Sequence, residues 1–303
     1  MRIPAAFAAI VVIAGLFLLF LPQDVKELGR SLAVLWDLGH VVFFFCLLSV
    51  VLPRFRWRGR QVSPPAGIVL ALAIGLGLGG LIEALQQGIT GREASLGDLY
   101  LDVTGALLAA GWIRWHRDST MTSIAKGLRV VALLMILPVG AQLTLALMDE
   151  WRAWREFPVL LDSGDRLSLT RFGNRANLEP VVSGVQVAFS TAKYSGFNLR
   201  YFPRDWSDFA RLELLFDNPA EEAVSLTCRI HDRAHNQDYA DRFNGRYAIV
   251  PGANVIVVDL AAAALLTSGR RLDMRRIAGL GCFTTRLAHP AVLVLRRIRL
   301  VEK

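Results

Sequence analysis

Apolar runs long enough to cross a bilayer recur through the first half of this chain and vanish from the second. About 20 apolar residues span the hydrocarbon core as a helix. Five windows qualify, at roughly residues 3–22, 31–53, 66–87, 98–115 and 128–148. That pattern excludes a single soluble domain, a disordered chain and a coiled coil. The charges exclude the opposite extreme, a pure membrane bundle. Residues 1–150 hold 12 Lys/Arg and 10 Asp/Glu, whereas residues 151–303 hold 22 and 16, too polar a stretch to sit in lipid. The expected fold is therefore mixed: a polytopic α-helical membrane domain of five transmembrane helices over residues 1–150, then an extracytoplasmic all-β domain over 151–303.

The loops set the orientation. The segment after the second window carries Arg54, Arg56, Arg58 and Arg60, and that between the fourth and fifth carries Arg114, Arg117, Lys126 and Arg129. The remaining two loops hold only Lys26, Arg30 and Arg92. Positive charge gathers on the cytoplasmic side, so the N-terminus is read as cytoplasmic and residues 151–303 as external. In a bacterium this means a multi-pass protein of the cytoplasmic (inner) membrane, with membrane lipids as neighbours. The first window follows a single Arg2, and no small-x-small cleavage site precedes Gln23 and Asp24, so it is read as a retained span. The same rule accounts for much of the net charge of +8, and no nucleic-acid partner is expected.

Ionisable groups inside a span are costly and mark candidate sites. Asp37 and His40 lie three apart and share a face of the second window. Glu83 and Gln86 do so at the end of the third, and Asp98 and Asp102 at the start of the fourth. With the assigned orientation these groups, together with Arg92 and Ser95 on the connecting loop, converge on the outer leaflet. The bland reading is interhelical glue, with Arg92 compensating the carboxylates. The functional reading is a ligand pocket. Four carboxylates cannot all stay ionised in a small space unless a cation joins them or some are protonated. Arg92 and His40 supply part of that compensation, and a metal or a proton the rest.

The segments DLGHVVFFFCLL and EALQQGITGREASLGDLYLDVTGALLAA resemble the VanZ-like membrane family. That family has an Asp-x-x-His element, then Glu-x-x-Gln leading to Arg-x-x-Ser-x-x-Asp-x-x-x-Asp/Asn-x-x-Gly. The matching positions are Asp37 and His40, then Glu83, Gln86, Arg92, Ser95, Asp98, Asp102 and Gly105. The family usually has Asn where Asp102 stands, and often Lys where Leu38 stands. The resemblance covers roughly residues 30–115 and implies a place in the cell envelope rather than a reaction.

From Phe157 the pattern changes to period two. VQVAFS, FNLRYF, LELLFD, VSLTCRIH, NVIVVDL and VLVLRRIRLV are short β-branched and aromatic runs separated by turn signals such as DSGD, DNP and PGAN. About eight strands with no long helical pattern predict an antiparallel sandwich or jelly roll. Short helices are expected only near 260–267 and 273–278.

The stretch HDRAHNQDYADRFN gathers His231, Asp232, His235, Asn236, Asp241, Arg242 and Asn244 around a strand-to-strand loop. With YSGFNLRYFPRDWSDF and LVLRRIRLVEK it resembles the galactose-binding-like sandwich modules of carbohydrate-binding proteins. The resemblance implies glycan contact through flat aromatic faces and planar polar groups. Tyr194, Tyr201, Trp206 and Tyr239 offer the former and the loop the latter. The competing reading makes the loop a hydrogen-bonded tie between strands. His231 and His235 also leave a His/Asp metal site open.

Cys46 lies in an apolar run and reads as a small core residue. Cys228 and Cys282 can pair if their half is extracytoplasmic; two reduced buried thiols are the alternative. No Cys/His spacing resembles a zinc site, and no cofactor is named by the sequence. Three functions stay open: an envelope protein that binds a lipid-linked or glycan-containing ligand, a non-catalytic scaffold for the sandwich, and an enzyme acting on an envelope lipid-linked glycan.

Overall fold

The computed structural model describes residues 10, 12–15, 29–57, 60–61, 63–87, 95–112, 119–162 and 166–303. The chain divides into two compact units, with the break between Leu147 and Met148.

The first unit is helical. Helix α1 spans Arg30–Arg54, α2 Pro64–Gln86, α3 Leu96–Trp112 and α4 Ser119–Glu156, the last turns of α4 belonging to the second unit. Two of these helices have a plain local start signal. Pro64 and Pro65 open α2, where a missing N–H costs nothing. Ser95 Oγ accepts hydrogen bonds from the N–H groups of Gly97 and Asp98 and so caps α3. Phe43, Phe44 and Leu48 of α1 pack with Ala71 and Ile82 of α2 and Ala106, Ala109 and Ala110 of α3. Gly105 allows this close approach, since a Cβ there would lie 2.5 Å from the Val41 carbonyl oxygen. Between α1 and α2, the two-residue strands β1 (Arg56–Trp57) and β2 (Arg60–Gln61) pair antiparallel across the arginine-rich segment.

Among the described residues, three helices are long and apolar enough to cross a membrane: α1, residues Pro65–Gln86 of α2, and residues Ser123–Glu156 of α4. Only 17–33% of their most apolar windows is buried inside the protein. A helix that is apolar all round and still exposed needs lipid as its solvent. Where five spans were expected, the described residues hold three candidates. The window at 98–115 is the 17-residue α3, which carries Asp98 and Asp102 in its first two turns and is too short to qualify by itself. The window at 3–22 lies mostly outside the described residues.

The second unit is an antiparallel β-sandwich. One sheet contains β3 (Val159–Leu161), β4 (Leu178–Val181), β5 (Gly184–Phe189), β7 (Phe209–Asn218), β10 (Gly252–Asp259) and β12 (Ala291–Glu302). Its order is β10-β7-β12-β5-β4, with β3 also paired to β12. The other contains β6 (Ser195–Leu199), β8 (Val224–Asp232), β9 (Phe243–Ile249) and β11 (Ile277–Thr284), in the order β6-β11-β8-β9. Period-two alternation fills the space between them: Leu212, Leu214 and Phe216 from β7 meet Leu226, Cys228 and Ile230 from β8 in one core. In β12 the inward residues are Leu293 and Leu295, then Ile298 and Leu300. The parity changes because the register against β7 shifts between Leu295 and Arg297, a β-bulge.

Cys228 and Cys282 face each other across β8 and β11 with their Cα atoms 4.0 Å apart and form a disulfide, which decides between the two alternatives. A four-residue helix α5, Leu260–Ala263, is capped by the Asp259 side chain. The expected helix at 273–278 is instead a turn entering β11. The end of α4 is tied to the sandwich within this unit. Arg171, 1% exposed, donates from Nε to both carboxylate oxygens of Asp149 at 3.0 and 3.2 Å, and from Nη1 to the Leu160 carbonyl at 2.9 Å.

Candidate functional site

Each unit carries one polar constellation. In the helical unit His40 of α1 is buried, and its Nδ1 lies 2.8 Å from Asp102 Oδ1 of α3. The opposite ring nitrogen, Nε2, lies 3.9 Å from Asp98 Oδ2. Asp98 and Asp102 are one turn apart, so α3 presents both to the same imidazole. Glu83, near the end of α2, is buried and accepts a 2.7 Å hydrogen bond at Oε2 from the Ser95 backbone N–H. Among the described residues, its Oε1 is buried without a hydrogen-bond partner, as is Asp102 Oδ2.

The structure thus brings together His40, Glu83, Asp98 and Asp102. Ser95 serves differently from the expectation: its backbone holds Glu83 and its hydroxyl caps α3, so its side chain is committed to the fold. Gln86 is buried and Asp37 half-buried, and neither joins His40, Glu83 and Asp98 in that cluster. Arg92, expected over the carboxylates, lies outside the described residues.

In the sandwich, a cavity of about 480 Å³ runs along the outer face of the four-stranded sheet. The strand register builds it. Asn198 on β6, Gly281 on β11, Arg229 on β8 and Asn244 on β9 form one outward row, and Gly196, Phe283, Thr227 and Arg246 the next. Gly281 in the first row is closely covered: a Cβ on it would lie 2.7 Å from the Phe197 carbonyl oxygen and 3.2 Å from Asn198 Oδ1. The walls carry Tyr194 and Tyr239, and Arg242 joins Arg229 and Arg246 in the lining. Arg242 stacks on Tyr239 with its guanidinium carbon 5.4 Å from the ring centre. No carboxylate lines the cavity among the described residues. Asn198 Oδ1 and Arg229 Nε are buried there without hydrogen-bond partners. Burial pushes the Arg229 guanidinium down from its ordinary range, and the charges of Arg242 and Arg200 add to that.

The loop of residues 231–244 divides between this groove and plain construction. Arg270 ties it: Nη1 reaches Asp232 Oδ2 and Nε reaches Asp241 Oδ1, both at 2.6 Å. Asp241 also accepts from the Asn236 N–H at 3.0 Å, and His235 Nδ1 lies 3.0 Å from the Asp241 carbonyl oxygen. Asn244 bonds the Tyr239 and Arg242 carbonyls. Asp232, His235, Asn236, Asp241 and Asn244 are therefore occupied within the protein, as the tie reading has it; of the loop's expected residues, Tyr239 and Arg242 line the groove. Trp206 is corrected outright. It is completely buried, its Nε1 donates to the Pro203 carbonyl at 3.0 Å, and it packs on Phe202, so it has no face for a sugar. Tyr201 is half-buried and outside the groove lining.

His231 stacks on His235 with ring centres 5.0 Å apart and covers Gly279. Burial pushes His231 down to about 4, helped by the charges of His235 and Arg229.

Asn198, Arg229, Arg246 and Phe283 were missed in the sequence. The alternation of VSLTCRIH carries Arg229's signal, because it stands between the inward Cys228 and Ile230.

No family model matches the chain, and no curated protein does. Solved structures resemble its C-terminal part. The family 11 carbohydrate-binding module from Clostridium thermocellum, in complex with a β-1,3-1,4-mixed-linked tetrasaccharide, is 16% identical, with a TM-score of 0.34, over 43% of this chain and 86% of that one. The CBM22-1 xylan-binding domain from Paenibacillus barcinonensis Xyn10C is 15% identical, with a TM-score of 0.33, over 48% and 96%. PfGH50B is 19% identical, with a TM-score of 0.35, over 43% of this chain and only 22% of its own. At these scores the likeness carries no argument, and the sandwich stands on its own sheets and core. What fold and site define, among the described residues, is a helical unit with three candidate spans followed by a disulfide-bonded antiparallel β-sandwich.

Proposed function

We propose that the chain is a membrane-anchored cell-envelope protein whose sandwich groove holds an anionic glycan strand. The observation that carries this reading is the groove itself. An open trough with tyrosine walls, Arg229, Arg242 and Arg246 in its lining and no lining carboxylate suits sugars that bear carboxylate, sulfate or phosphate groups. The unpaired Asn198 Oδ1 and Arg229 Nε supply an acceptor and a donor whose buried isolation a bound hydroxyl or anion would relieve. The disulfide suits an oxidising compartment outside the cytoplasm, in line with the arginine-rich cytoplasmic loops. The His40–Glu83–Asp98–Asp102 cluster, in the segments that resemble the VanZ-like family, would take the polar head of a lipid-linked precursor.

The test uses the full chain in lipid nanodiscs on a glycan array holding neutral and acidic polysaccharides. Acidic glycans should be retained. Arg229→Gln should weaken binding about ten- to a hundredfold, the range for a hydrogen bond to a charged group. Tyr239→Ala should weaken it about three- to tenfold, and Arg297→Gln on the other sheet should change nothing. Equal retention of neutral glycans, or binding by Arg229→Gln like the parent's, would overturn the anionic-glycan reading and leave the scaffold.

A further inference from the structure

We propose that His40, Glu83 and Asp98 form a binding site for one divalent metal ion of zinc type, oriented from behind by Asp102. The inference stands apart from the glycan reading, since it uses the helical unit alone.

Three observations converge. One nitrogen of His40 and one carboxylate oxygen each of Glu83 and Asp98 lie within 4.8 Å of one another. A tetrahedral ion with bonds of about 2.0–2.1 Å sets its ligands about 3.4 Å apart, so small side-chain rotations close the shell. Second, Asp102 Oδ1 at 2.8 Å holds His40 Nδ1, which places the proton there and leaves the Nε2 lone pair on the Asp98 side. A carboxylate behind an imidazole is the usual way in which proteins aim a metal-binding histidine. Third, Glu83 is 6% exposed and its Oε1 has no hydrogen-bond partner among the described residues, while Oε2 is anchored by the Ser95 N–H. Interhelical glue would have used that oxygen.

Charge points the same way. Glu83, Asp98 and Asp102 surround one imidazole, and among the described residues no Lys or Arg pairs with them. Buried carboxylates grouped in this way need a cation. One imidazole with two carboxylates is a donor set that zinc accepts. Three protein ligands leave a fourth position open for water or a phosphate oxygen.

The experiment strips the full chain in detergent with a chelator, then titrates Zn2+ by calorimetry and counts bound zinc by mass spectrometry. The parent should bind one Zn2+ per chain and unfold at a higher temperature with it. His40→Ala and Glu83→Gln should weaken binding at least a hundredfold. Asp102→Asn should weaken it about ten- to a hundredfold, the range for a supporting partner. If Glu83→Gln does not fold, Asp98→Asn replaces it, since that side chain is 16% exposed and tolerates the change more readily. The pair His231→Ala and His235→Ala should leave binding unchanged. No Zn2+ in the parent, parent-like affinity in Asp98→Asn, or loss that follows the sandwich histidines would each overturn the proposal.

Discussion

At the scale of single residues, burial decides which polar groups are free to act. Asp241 is held down to about 2, first by the Arg270 hydrogen bond and then by the Asn236 N–H. Burial works against Asp232, and Arg270 with the Asp273 N–H outweighs it. Arg270 thus pairs with two carboxylates at once, and Arg270→Ala should lower the unfolding temperature of the sandwich. Thermal unfolding followed by the β-sheet circular dichroism signal checks this. His231 adds a pH dependence of definite sign. Its folded value of about 4 lies below its ordinary 6.5, so between those limits the unfolded chain binds the extra proton. Stability should therefore fall as pH drops from 6.5 to 4, and His231→Gln should flatten that slope. A slope unchanged in His231→Gln would contradict the assignment. Neither Arg270 nor the burial of Trp206 was legible in the sequence. Arg270 reaches its carboxylates across 38 and 29 residues, and Trp206 lies between strands, where alternation assigns no face.

At the scale of elements, spacing carried a good part of the information. Three- and four-residue intervals put Asp98 and Asp102 on one face of α3, as the structure has them. No spacing predicts that Asp102 meets His40, 62 residues away. That meeting depends on Gly105, one turn further along α3. Gly105→Leu would place its Cβ 2.5 Å from the Val41 carbonyl oxygen and 2.9 Å from Phe44 Cβ. It should push α1 from α3 and cost about 1–3 kcal/mol or more, read as a lower unfolding temperature in detergent. In the sandwich, alternation located β5, β7, β8, β10 and β12. Cys282 reads as core-facing on a strand, as β11 has it, although Gly279 and Gly281 interrupt the β-branched pattern there. Both glycines are covered, Gly279 by the His231 ring and Gly281 by Asn198 and the Phe197 carbonyl.

At the scale of the whole molecule, an apolar helical unit and a disulfide-bonded sandwich belong to different solvents, and the mixed class was readable from that contrast. The number of spans was not, since α3 is apolar by composition but too short by itself. The disulfide closes a 54-residue separation, and Cys282→Ser should cost the sandwich about 2–4 kcal/mol, measured by denaturant midpoint with and without reductant. The central claim is that the outer face of β6-β11-β8-β9 is the glycan surface. Hydrogen exchange on the full chain in nanodiscs, with and without a polyuronate chain, tests it most directly. The account predicts slowed exchange around Asn198, Arg229, Arg246 and Phe283, and none on β10, β7, β12, β5 and β4. Protection confined to the six-stranded sheet, or no protection at saturating polyuronate, would contradict it.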